Sequence, residues 1–335
     1  MTPHSCATAI SYAGGASAGK YGCEMRAFAW FLGLMAVAFA AVAVLAYPAW
    51  LLLHPHFDFP FHRIAERLGM LVLLLGFIGL ARHLRLADQA SLGYGAPRPM
   101  FIKEMGLALA LGVASMLAVV GIMASLGLLE WRAGSQHAAP AKLIVSSALS
   151  GFAVAFIEET FLRGAMHTAI ERESGTRAAV LLTAVLYAAT HFFGKVHIPA
   201  AQVNAHSGLE LLAGTLHAFA HPLSIADAFL ALAAVGVVLG LVRAATGNIA
   251  ACIGLHAGWV WVMLVAHDLA QPRSGAALGF LLSRFDGFVG WLVLIWTLLL
   301  AAPLWHFYAA RGAAAGERAA GRGASAPPFR RRQRS

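Results

Sequence analysis

The chain has 335 residues, of which 60% are hydrophobic and 12% charged, and its formal net charge is +9 at pH 7. Soluble domains carry about 25% charged residues, so a mean hydropathy of +0.73 excludes that class and predicts an all-α, polytopic integral membrane helix bundle. Three cysteines, Cys6, Cys23 and Cys252, have neither the count of a disulfide framework nor the spacing of a metal knuckle.

Residues 1–25 read as a flexible leader, and "MRAFAWFLGLM" from Met25 has the basic-then-apolar form of a first span, which makes Met25 an alternative start. Two motifs in the leader lack their context. Gly15-Ala-Ser-Ala-Gly19 has the nucleophile-elbow pattern and Gly14 to Lys20 most of a phosphate loop, yet no strand precedes them, and Tyr21 stands where the phosphate loop needs Ser or Thr.

A bilayer crossing needs about 20 apolar residues. Runs of that kind occur at 28–53, 105–129, 225–246, 249–267 and 287–305. Three further spans, 64–81, 143–166 and 177–195, reach full length only by including charged or polar residues. The reading is therefore about eight transmembrane helices in one domain, 26–308, followed by a disordered basic tail, 309–335. With both termini cytoplasmic, about 17 of the 24 Lys and Arg residues fall on the inner side, the bias that orients proteins of a cell (inner) membrane.

Two of the interrupted spans carry the chemistry. "IEETFLR" places Glu158, Glu159 and Arg163 at the end of an apolar run, where each ionisable residue costs at least about 2.5–3.5 kcal/mol to insert. Glu159 and Arg163 are four apart on one helical face and form an i,i+4 pair. Glu158 points about 100° away and has no local partner. Downstream, Gly175 is a natural helix stop, and a hairpin turning at Ser174-Gly175 brings Glu158 level with His191, since the turn is their midpoint. Tyr187 lies one turn before His191. In "TGNIAACIGLHAGWVWVMLVA", His256 is again polar within an apolar run. Two histidines and a carboxylate on three helices can hold a water molecule or a metal, and both activate water for attack on a carbonyl.

The order of these motifs, Glu158-Glu159-x-x-x-Arg163, Tyr187-x-x-x-His191 and "GLVRAATGNIAACIGLHAGW" with His256, resembles the CPBP intramembrane proteases. That family includes the type II CAAX prenyl endopeptidases and bacterial proteins linked to bacteriocin processing and immunity. The resemblance covers about residues 105–268 and implies a catalytic core there, about eight spans and peptide-bond hydrolysis within the membrane. It implies Glu158 as the water-activating carboxylate, Glu159 and Arg163 as its supporting pair, and His191 and His256 as residues that hold the water, stabilise the oxyanion or ligate a metal. Two positions depart from the pattern: Tyr187 replaces the usual Phe, and Val260 stands four after His256, where the prenyl endopeptidases often have Asn.

The implied substrate is a membrane protein or lipidated peptide, the setting is the lipid bilayer, and no nucleic acid is involved. Glu158, His191 and His256 match the ligand count of a catalytic Zn2+ site and equally a metal-free water clamp. The alternative function is a catalytically inactive relative that binds a partner. No H-E-x-x-H and no paired intramembrane aspartates occur, which removes the zincin and aspartyl mechanisms. The loop histidines His197, His206, His217 and His221, placed outside in the 196–224 connection, are a further candidate metal set.

Overall fold

A computed structural model describes residues 25–57, 59–132, 140–193 and 196–324. The leader ahead of Met25, with Cys6, Cys23 and both decoy motifs, lies outside the described residues. The elements in order are α1 (Arg26–Leu53), α2 (Phe61–His83), α3 (Arg98–Ser125), β1 (Leu129–Trp131), α4 (Pro140–Glu159), a π-helical segment (Thr160–Met166), α5 (His167–Thr190), α6 (Ser207–Leu216), α7 (Pro222–Thr246), α8 (Ala250–Leu269), β2 (Ala270–Pro272) and α9 (Trp291–Ala324). Among the described residues, seven helical runs are long and apolar enough to cross a membrane. The run Pro140–Thr190 is 51 residues long and contains two of the eight expected spans. The Arg163 guanidinium carbon lies 4.8 Å from the Tyr187 ring centroid, whereas an unbroken helix would separate residues that far apart by about 36 Å. The chain therefore doubles back. It does so at Gly175, whose φ of 82° and ψ of 168° interrupt α5, a conformation that a side chain would strain.

Three features differ from the sequence reading. Residues 309–324, assigned to a disordered tail, continue α9 as helix. The connection after α5, read as an outer loop, contains α6, which packs on α1 so closely that the Gly208 position has no room for a Cβ against the Ala43 carbonyl. Finally, β1 and β2 pair antiparallel, Leu129 with Pro272 and Trp131 with Ala270, tying the ends of α3 and α8 together.

Small residues set the helix contacts that matter for the site, because in lipid the gain comes from close van der Waals approach. A Cβ at Gly112 of α3 would stand 2.6 Å from the Leu255 carbonyl oxygen, and one at Gly258 of α8 would stand 2.8 Å from the Leu109 carbonyl oxygen. On its other side α8 meets α4, where a Cβ at Gly151 would be 3.0 Å from the Ala257 carbonyl oxygen. Helix α8 is thus wedged between α3 and α4 at fixed rotation, and His256 faces α4.

The tip of the hairpin is used as well. Glu173 accepts the backbone N–H groups of Arg26 at 3.0 Å and Ala27 at 2.7 Å, which satisfies first-turn donors of α1 with a carboxylate at the positive end of the helix dipole. Glu173→Ala is expected to lower stability by about 1 kcal/mol, the usual cost of losing a cap. A thermal unfolding comparison in the same detergent checks this.

Candidate active site

The site assembles on α4, α5 and α8. Glu159 is fully buried and its Oε1 accepts from Arg163 Nη1 at 3.0 Å and from His256 Nδ1 at 2.8 Å. The expected i,i+4 pair is present, and it reaches one helix further than expected. Arg163 Nη2 also donates to the Gly236 carbonyl of α7 at 3.1 Å. The guanidinium is therefore held by a carboxylate, a backbone carbonyl and the face of Tyr187, which together offset the cost of burying it.

A carboxylate can only accept, so His256 carries its proton on Nδ1 and presents the Nε2 lone pair. That nitrogen stands 4.0 Å from Glu158 Oε2. Glu158 is the more open of the two acids, with a side chain 31% exposed against 0% for Glu159. Its Oε2 is nevertheless buried and has no hydrogen-bond partner.

His191 follows the last turn of α5. Its amide bonds the Ala188 carbonyl, leaving the Tyr187 carbonyl to side chains: Thr190 Oγ1–H and His191 Nδ1–H both donate to it, each at 2.8 Å. This is ordinary helix-end chemistry, and its consequence is that His191 also has Nδ1 occupied and Nε2 free. Tyr187 sits between the two histidines, with ring centroids 4.6 Å from His191 and 5.6 Å from His256. The structure brings Glu158 to His256, and Tyr187 contacts both histidine rings.

Tyr187, His191 and His256 form one wall of a cavity of about 340 Å³ whose other walls are largely apolar, from α3, α4, α7, α8 and α9. Val260 and Val154 also line it, and Glu158 lies one turn beyond Val154 on the same face of α4. Asn248 is engaged at the start of α8, where its side chain donates to Glu104 at 3.1 Å and accepts the Ala250 amide at 2.9 Å.

Two supporting groups were not anticipated. The π-helical segment disturbs the α-helical ladder at Thr160–Met166, a feature often found at functional sites. Within it the Arg163 carbonyl accepts Arg243 Nε at 3.0 Å, and Arg243 Nη2 contacts Thr168 Oγ1 at 3.3 Å. Tyr94 bonds Thr160 Oγ1 at 2.5 Å. Arg243 was visible in the sequence as a cation inside "GLVRAATGN", by the same rule that flagged Glu158.

Among the described residues no group of three or more His, Cys, Asp or Glu side chains is arranged to hold a metal ion. Glu158, His191 and His256 as placed do not close around a zinc ion. The loop histidines do not form a set either. His217 and His221 lie 5.1 Å apart by ring centroid, while His197 pairs with His62 of α2.

Residues 140–262 match the family described as Rce1-like, type II CAAX prenyl endopeptidase Rce1-like. No curated protein and no solved structure matches the chain. The matched segment carries Glu158, Glu159, Arg163, His191 and His256, so the similarity to the type II CAAX prenyl endopeptidases covers the whole of the candidate site.

Proposed function

We propose that the protein is an intramembrane endopeptidase that hydrolyses a peptide bond of a membrane-associated or lipidated protein, with Glu158 as general base. The observation that carries this reading is the state of the two histidines. Both have Nδ1 committed as donor, to Glu159 and to the Tyr187 carbonyl, so each keeps an Nε2 lone pair; both residues line one cavity, and His256 Nε2 lies near a Glu158 oxygen that lacks a hydrogen-bond partner. The Glu158 Oε2 to His256 Nε2 separation is 4.0 Å. A water about 2.8 Å from each atom would subtend an angle of about 91° at its oxygen, close to its own H–O–H angle. Such a water donates one O–H to Glu158 and one to His256 and keeps its lone pairs for the substrate carbonyl.

In the attack step Glu158 takes the water proton as the oxygen–carbon bond forms. The same proton then goes to the amine nitrogen as the peptide bond breaks. Glu159 holds the His256 ring in one tautomer and one orientation and would stabilise it if it became charged. The apolar cavity keeps bulk water from the site and strengthens these interactions.

The test is turnover by purified protein in detergent against a library of membrane-proximal and lipidated peptides, with and without chelator. Cleavage that survives chelation supports the water clamp, and cleavage abolished by chelator and restored by zinc replaces it with a metal mechanism. Val260 in the cavity wall, where an amide is common in the prenyl endopeptidases, favours one second reading, binding without turnover. Tight peptide binding with no cleavage would establish that reading instead. The Lys and Arg bias supports a cell (inner) membrane setting with both termini cytoplasmic.

A further inference from the structure

Away from the site, His62 at the first turn of α2 and His197 in the connection after α5 face each other with their Nδ1 atoms 3.2 Å apart. Their rings are nearly perpendicular, at 86°, with centroids separated by 4.2 Å. Both line a second cavity, of about 450 Å³, which His54 also borders from the end of α1. The His54 ring stacks on Trp50 with centroids 4.4 Å apart, and its Nδ1 is buried without a hydrogen-bond partner. Imidazoles from three stretches of chain thus line one opening, and two of them are in contact.

Two neutral imidazoles in this pose have two options. One Nδ1–H points at the other ring's lone pair, or both lone pairs point at one cation. Two nitrogens bound to a single tetrahedral ion at about 2.0–2.1 Å stand about 3.3–3.4 Å apart, which is the separation found here to within a few tenths of an ångström. Imidazole nitrogen is a preferred donor for late first-row divalent metals and a poor one for magnesium or calcium. We infer that His62 and His197 form a surface site for a divalent transition metal of the zinc class, separate from Glu158, His191 and His256. Two protein donors leave the remaining positions to water, so the ion is exchangeable, unlike a structural zinc.

The site has a mechanical consequence. His197 lies six residues after His191 in sequence, and His62 is in the first turn of α2, so a bound ion would hold His197 against the α1–α2 end of the bundle. Occupancy would then tie His197 to the start of α2, independently of the hydrolytic mechanism.

Zinc binding to tag-free, chelator-stripped protein in detergent, measured by equilibrium dialysis and elemental analysis, tests this. His62→Ala and His197→Ala are each expected to weaken one zinc per chain by at least about tenfold, the scale on which metal sites respond to loss of supporting groups. The His191→Ala, His256→Ala double variant is expected to keep that zinc, which separates this site from any metal in the active site. His62 is partly exposed and His197 exposed, so neither change should disturb folding. A second measurement needs no variant. Zinc is expected to protect His62 and His197 of the native chain from diethyl pyrocarbonate, read peptide by peptide, while leaving His206 and His217 reactive. Zinc binding indifferent to both substitutions, no zinc binding at all, or modification of His62 and His197 unaffected by zinc would each overturn the proposal and leave the pair as an ordinary imidazole hydrogen bond.

Discussion

Glu158→Gln is expected to leave the protein folded and membrane-inserted and to reduce peptide cleavage by about 10²–10⁴-fold, the range attributed to a positioned general base. The substitution keeps the size and planarity of the side chain. It removes only the ability to take a proton, at an oxygen that stands 4.0 Å from His256 Nε2 and has no other partner. Because Glu158 is outside the Glu159–Arg163 pair, stability should change little, and a thermal melt within about 1 kcal/mol of wild type separates the catalytic effect from unfolding. Full turnover by a folded Glu158→Gln protein would remove Glu158 as base. Glu159, whose Oε1 accepts from Arg163 and His256 while its Oε2 is buried without a partner, would then be the carboxylate to test next.

Arg163→Ala is expected to lower stability by about 3–5 kcal/mol, the cost of breaking a buried ion pair by deleting one partner. The structure gives three reasons for an effect of this size. Glu159 is left fully buried with only His256 as donor, the Gly236 carbonyl loses its Nη2 contact, and Tyr187 loses the cation over its ring. Activity should fall with stability, because His256 then holds a carboxylate that is no longer fixed to α7. Arg163→Lys keeps a charge but cannot span Glu159 and Gly236 with a planar fork, so it should recover part of the stability. If Arg163→Ala melts with wild type and loses only turnover, Arg163 belongs among the groups that contact substrate. Thermal unfolding and peptide cleavage measured on the same preparations decide between the two.

Much of the architecture was legible because membrane insertion is a local cost. Each span needs its own apolar length, and each intramembrane charge needs its own justification. Glu158, Glu159, Arg163, His191 and His256 all stood out against hydrocarbon for that reason. Gly175 was legible too, since a glycine between two apolar runs marks a turn, and the chain does double back there, with Arg163 over the Tyr187 ring.

The partners of those residues were not legible. Spacing alone joined Glu159 to Arg163 and left the histidines as neighbours of Glu158. In three dimensions Glu159 also takes the Nδ1 proton of His256, Glu158 faces the opposite nitrogen, and Asn248 turns to Glu104. These choices depend on the rotation of α8 about its axis, which is set by close approach at Gly112, Gly151 and Gly258 against other helices. Contacts of that kind join residues more than a hundred positions apart and leave no periodicity in the chain. The same holds for the Arg243 side chain on the Arg163 carbonyl and for the His62–His197 pair. The amino-acid sequence by itself determined which polar groups the membrane must accommodate, because that cost is incurred residue by residue. Only the tertiary structure decided which nitrogen meets which oxygen, because hydrogen bonding is directional and the directions are fixed by packing between distant helices.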